Sequence, residues 1–180
     1  MSTTDADLRR RVITWSDPTA TATAGRSMAG LDFLHALRGG ALPPPPALLL
    51  GIEMVAAERG RAVMRLAPGE HLYNPLGTMH GGMIATLLDS VMGCAVQSTL
   101  PQGRFYTTLE IKVNYLRAVT EAVGMVSAEA TVVQSGRQVA VAEARLSGAD
   151  GRLYATASTT CLVFDLAETV PAPRAGGGSA

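Results

Sequence analysis

Residues 74–100 read NPLGTMHGGMIATLLDSVMGCAVQSTL, and the reading of this stretch decides the fold. Ile84, Leu87, Leu88, Val91, Met92 and Ala95 recur at helical spacing, which predicts a helix of roughly five turns ended by Pro101-Gln102-Gly103. Its single charged side chain is Asp89, and it is apolar nearly all round, so something apolar must enclose it. A bilayer would tolerate a central carboxylate poorly, and Thr86, Gln97, Ser98 and Thr99 add further polar groups. The expectation is a helix buried in protein, with no membrane span.

Working outward, both flanks alternate like strands. On the N-terminal side LLLGIEMVAAERGRAVMRLAP predicts a hairpin of Ala47 to Ala57 and Arg61 to Ala67, turned at Gly60. On the C-terminal side strands are expected over Tyr106 to Leu116, Val123 to Gln134, Gln138 to Ser147 and Leu153 to Phe164, with sharp turns at Gly136 and Asp150-Gly151. Strand, strand, long helix, then four strands implies an α+β fold, an antiparallel β-sheet wrapped around the helix. One sheet cannot cover such a helix on every side and also leaves open edges. Pairing of two subunits edge to edge is the expected remedy.

The core domain is expected over 47–165. Residues 1–46 form an N-terminal extension: about 25 residues without sustained periodicity, then a short helix marked by Leu31, Phe33, Leu34 and Leu37 and closed by Gly39 and Gly40. The Pro run at 43–46 follows as an extended spacer. Residues 166–180, rich in Pro, Ala and Gly, read as a disordered tail.

Composition narrows the function. Hydrophobic residues make up 47% of 180, enough for one substantial core. Lys+Arg and Asp+Glu both number 15 without blocks of like charge, so no nucleic-acid or anionic-membrane partner is expected. Cys94 and Cys161 lie in apolar runs without paired spacing, and the Arg-containing N-terminus lacks an apolar core behind it. Both features point to a reducing, cytoplasmic setting without a secretion signal. No G-x-S-x-G, phosphate loop or metal-ligand spacing occurs, and His35 and His71 fall outside any such pattern.

The chemistry concentrates at the helix. Gly81 and Gly82 open it, where N–H groups lack intrahelical partners, point along the positive end of the dipole and suit an oxyanion. Glycine also permits close approach of a bulky ligand. A lone carboxylate on an enclosed helix is costly, which favours a functional role for Asp89 over pairing with a distant arginine. Gly82 and Asp89 are seven residues apart, about 10 Å along the axis. One carbonyl does not easily touch both, so the simplest arrangement takes the glycines from one subunit and Asp89 from its neighbour.

The pattern N-x-x-G-T-x-H-G-G-x-x-A-x-L-x-D at 74–89 resembles the signature of PaaI-type (phenylacetate-pathway) hotdog-fold acyl-CoA thioesterases. YTTLEIKVNYLRAV at 106–119 resembles a second strand segment of that family, and the likeness covers about 47–165. The resemblance implies a homo-oligomer, dimer or tetramer, in which two sheets join, and hydrolysis of aryl or medium-chain acyl-CoA without a metal or redox cofactor, coenzyme A being part of the substrate. It implies Asp89 as general base or nucleophile, Asn74 as the side chain holding the thioester carbonyl or the water, and Gly81 as oxyanion donor, with Gly82 beside it. His80 would steady the loop, and Thr108 would help place the water, with Thr107 as its rival. Asn74 before Pro75 also suits an ordinary turn, and His80 an ordinary loop contact. Arg117, and Arg137 beside Gly136, are candidates for CoA phosphates, against the plainer reading of solvated surface arginines. Two other functions remain open at this point: a hotdog dehydratase or hydratase acting on acyl-CoA or acyl carrier protein, and a non-catalytic acyl-CoA binding module.

Overall fold

A computed structural model of the chain describes residues 8–45 and 50–165. Three helices, α1 (Pro18–Ser27), α2 (Gly30–Arg38) and α3 (Gly81–Gln97), accompany six strands: β1 (Glu53–Glu58), β2 (Arg61–Leu66), β3 (Arg104–Tyr115), β4 (Val126–Ser135), β5 (Val139–Ser147) and β6 (Leu153–Asp165). The strands form one antiparallel sheet in the order β1-β2-β4-β5-β6-β3. This is the hotdog arrangement, with α3 held in the curve of the sheet. Leu87, Leu88, Val91, Met92, Ala95 and Val96 are buried against Ala128, Ala130, Ala142 and Leu146. The small residues on β4 and β5 let a greasy helix approach the sheet closely, at a gain of about 25 cal/mol per Å² of apolar surface removed from water.

The strands follow the expected alternation, with differences that have local causes. β1 begins at Glu53, not at residue 47; residues 46–49 lie outside the described part. β4 begins at Val126, three residues later than expected. A 3-10 turn at Glu121–Val123 and Gly124 at φ 72° hold the preceding chain out of the ladder. The N-terminal segment contains a helix that its weak periodicity did not announce. Asp17 Oδ1 caps α1 by accepting from the Thr19 N–H at 2.8 Å, and Pro18 sits in its first turn. The Thr21 hydroxyl donates to Pro43 O and Gly25 packs on Phe33 and Phe105, so tertiary contacts hold α1 in place. The expected tail, 166–180, lies outside the described residues.

The sheet has two edges, treated differently. β1 is covered: His35 Nε2–H donates to Ala57 O and Arg38 Nη1 to Val55 O, both at 2.9 Å. Two α2 side chains three residues apart thus take two carbonyls two residues apart, which denies that edge to another strand. β3, twelve residues long, closes the sheet order at the other side with Leu109 and Tyr115 exposed. No helix of the described residues is long and apolar enough to cross a membrane.

Candidate active site

The loop before α3 is built around Asn74. Its Oδ1 accepts from the Leu76 N–H at 2.9 Å and the Thr78 N–H at 3.3 Å, and its Nδ2 donates to Thr78 Oγ1 at 3.1 Å. The turn role of Asn74 is therefore real, and one Nδ2 proton remains for a ligand. Backbone bonds from Met79 N to Val119 O and from His80 N to Leu72 O, both 2.8 Å, fasten the loop to the body.

At the start of α3, His80 is the N-cap, and its Nδ1 accepts from the Gly82 N–H at 2.9 Å, which leaves the ring proton on Nε2. Tyr115 Oη donates to Gly81 O, also at 2.9 Å. The Gly81–Gly82 peptide is thus held at both ends. The Gly81 N–H has no hydrogen-bond partner among the described residues and remains the open donor. Both glycines have a steric reason: a Cβ on Gly81 would press on the Tyr115 ring at 3.2 Å, and one on Gly82 would meet His80 Nδ1 at 3.0 Å. Asn74, Thr78, Gly81, Tyr115 and Arg117 line a cleft of about 340 Å³.

Asp89 lies two turns further along α3, outside that cleft. It belongs to a stripe with Met83, Thr86 and Ser90 that a single chain leaves half-buried. The carboxylate is therefore less enclosed than the apolar sequence around it implied. No salt bridge among the described residues includes it. Its partner is Thr108, whose Oγ1 donates to Asp89 Oδ1 at 2.9 Å. Thr107 is exposed on the opposite face of β3, level with Leu162 of β6.

Cys94, Cys161 and Tyr106 gather on the inner side of Asp89. Burial, and then the Asp89 charge, push the Cys94 thiol up to about 12, so it stays a protonated wall group and a poor nucleophile. Burial raises Cys161 and Tyr106 as well. No group of three or more His, Cys, Asp or Glu side chains is placed to hold a metal ion among the described residues.

The arginines separate. Arg117 Nη1 donates to Leu153 O at 2.6 Å at the mouth of the Asn74 cleft. Arg137 follows Gly136, whose N–H closes the β4–β5 turn on Val139 O at 2.8 Å, and its carbonyl accepts from Arg104. Arg104 and Tyr115 end the same twelve-residue strand, so about 35 Å divides the two arginine regions within one chain. Residue patterns pointed to Gly81, Gly82 and Asp89, and the family resemblance to Asn74, His80 and the Thr107–Thr108 pair; neither singled out Tyr115 or Thr78. A tyrosine in an alternating strand carries no local sign of where its hydroxyl ends.

Residues 76–155 match the profile described as the Thioesterase superfamily. The chain is 27% identical over 114 residues to the 1,4-dihydroxy-2-naphthoyl-CoA hydrolase of Listeria monocytogenes, covering 63% of this chain and 91% of that one. The structure of a phenylacetic acid degradation-related protein from Ralstonia eutropha is 30% identical and superposes with a TM-score of 0.65, covering 71% of this chain and 97% of the other. A conserved protein of Pseudomonas aeruginosa is 37% identical, with a TM-score of 0.62 and coverage of 66% and 92%.

Proposed function

The chain belongs to the thioesterase superfamily, in its PaaI-type hotdog branch, and from that premise we propose that it cleaves acyl-CoA with an apolar aryl or medium-chain acyl group at sites shared between two subunits. The observation that carries the reading is the half-buried Asp89 carboxylate, free of any salt bridge among the described residues and held by the Thr108 hydroxyl at 2.9 Å.

Hydrolysis needs an electrophilic carbonyl and an activated water. The Gly81 N–H and the spare Nδ2 proton of Asn74 polarise the thioester carbonyl and stabilise the oxyanion that develops on it, a contribution that reaches roughly 3 kcal/mol per donor. Gly82 and His80 act on this hole indirectly, by fixing the peptide that follows Gly81. Asp89 of the facing subunit takes a proton from water as it attacks the carbonyl carbon, and the C–S bond breaks to release CoA thiol and the free acid. Direct attack by Asp89, giving an anhydride that water then opens, uses the same residues. His80 Nδ1 is occupied as a cap, which favours hydrolysis over a dehydratase that relies on histidine as a base.

The open β3 edge supports the shared site. Were two β3 strands to pair antiparallel about a dyad near Ile111–Lys112, Thr108 of one subunit would lie opposite Tyr115 of the partner subunit. In that register Asp89 would approach the glycine end of the other helix, and the Arg137 region would approach Arg117 of the partner subunit, giving CoA phosphates two arginine sources. The reading includes a dimer, alone or paired into a tetramer, working in the cytoplasm.

The test is thiol release from a panel of aryl and aliphatic acyl-CoAs by wild type and Asp89→Asn. The variant is expected to lose turnover while keeping the oligomeric mass of wild type. An Asp89→Asn enzyme with wild-type kcat would defeat the assignment.

A further inference from the structure

A cavity of about 460 Å³ is lined by Ser90, the residue after Asp89, and shares no lining residue with the Asn74 cleft. Its inner wall is Ser90, next to Asp89, with Cys94 a turn further on and Tyr106 of β3. Tyr106 and Thr108 are two residues apart on the helix-facing side of β3, and Thr108 is bonded to Asp89, so the β3 side of the cavity adjoins the residue that holds the carboxylate. Met54 and Met64 of β1 and β2 line it further in, polarizable side chains that adapt to different apolar shapes. The outer wall belongs to neither sheet nor α3: it is Leu37 of α2 and Pro44 and Pro45 of the spacer.

That outer wall is docked firmly. Gly30 N–H donates to Leu100 O at 3.0 Å, and a Cβ at Gly30 would overlap the Gln97 carbonyl oxygen, so α2 meets the end of α3 backbone to backbone. His35 and Arg38 tie its other flank to β1. Of the charged groups at the rim, Glu53 is paired with Arg65 at 2.7 Å, while Arg38 gives one Nη1 proton to Val55 O and keeps its charge. Leu37, Pro44, Pro45, Ile52, Met54 and Met64 make most of the lining apolar, which suits an apolar acyl chain.

We infer that this cavity receives the acyl group and that the N-terminal extension, through Leu37 and the Pro44–Pro45 segment, sets the largest acyl group the enzyme accepts. The inference rests on the thioesterase reading of Asp89 given above. Leu37 is half-buried and projects from a wall outside the main core, so its size can be changed with little effect on α3.

The experiment compares kcat/KM for acetyl-, hexanoyl-, decanoyl- and phenylacetyl-CoA in wild type, Leu37→Trp and Leu37→Ala. Leu37→Trp is expected to lower the decanoyl-to-acetyl ratio about tenfold or more, and Leu37→Ala to move preference the other way, since one methylene in an apolar pocket is worth tenfold or more in discrimination. Ratios identical to wild type in Leu37→Ala, or uniform losses across the panel in both variants, overturn the inference; should Leu37→Trp fail to fold, Leu37→Ala decides it alone. A wild type that releases no thiol from any of the four overturns the thioesterase reading as well, an outcome distinct from an active enzyme whose preference does not move.

Discussion

Thr108 Oγ1 donates to Asp89 Oδ1 at 2.9 Å, joining the edge strand to the central helix across 19 residues of sequence. The strand reaches this geometry through an irregularity. Its register against β6 slips between Thr108 and Glu110, so Thr108 and Tyr115, seven residues apart, both face α3. In a regular strand an odd separation would turn one of them away. The slip thus allows one strand to serve both Asp89 and Gly81.

Removing the Thr108 hydroxyl leaves Asp89 without its described donor. Hydrogen bonds to charged groups are worth about 1.5–3 kcal/mol, so Thr108→Val is expected to lower kcat roughly ten- to a hundredfold, with Thr108→Ser recovering most of it. Steady-state thiol release checks this. Equal kcat in Thr108→Val and wild type would show that the bond has no part in turnover.

Tyr115→Phe deletes the bond to Gly81 O and keeps the ring that packs on Gly81. A looser oxyanion peptide should lower kcat by roughly five- to tenfold while KM changes little, in line with the loss of one neutral hydrogen bond. A rise in KM alone would assign Tyr115 to substrate binding.

Sharing of the site is testable by complementation. Asp89→Asn and Gly81→Val are each expected to be inactive alone, because every site then lacks one half. Co-expressed and purified through two different tags, the mixed dimer should regain up to about half of wild-type activity, having one site with both halves intact. A dead mixed dimer would place the whole site within one chain.

Burial, with the Asp89 charge second, pushes the Cys94 thiol from 9.0 up to about 12, so over that range the native state keeps a proton that the unfolded chain gives up. This contribution to stability is complete below pH 9 and is lost as pH rises from about 9 toward 12. Tyr106, also raised by burial, acts in the same direction from about 10. The denaturation midpoint of wild type should therefore fall more steeply over that range than that of Cys94→Ala. Parallel curves for the two would contradict the burial of the thiol.

Gly93 sits where a Cβ would overlap the Tyr106 hydroxyl. Overpacking of this kind costs typically 1–3 kcal/mol, so Gly93→Ala should lower Tm, and adding Tyr106→Phe should restore part of the loss. An unchanged Tm for Gly93→Ala would mean that the Tyr106 ring moves aside freely.

Much of the molecule could be read from neighbouring residues. The 3.6-residue recurrence from Ile84 to Ala95 marked α3, and Gly60 and Gly151, with φ of 78° and 75°, marked hairpin turns. The glycine pair and Asp89 stood out because each breaks the local pattern. α1 escaped notice, since its Ala- and Thr-rich sequence has a weak apolar stripe and is held by distant Phe33, Pro43 and Phe105.

The amino-acid order alone set α2, α3 and the six strands, the hairpin turns between them, and that a solitary carboxylate rides on an apolar helix behind two glycines, because these depend on chemistry within a few residues. Only the tertiary structure decided that Thr108 rather than Thr107 meets Asp89, that Tyr115 clamps Gly81, and that α2 walls the cavity lined by Ser90. Those contacts depend on strand register and on the docking of remote segments, where a shift of one residue moves a side chain to the other face of the sheet.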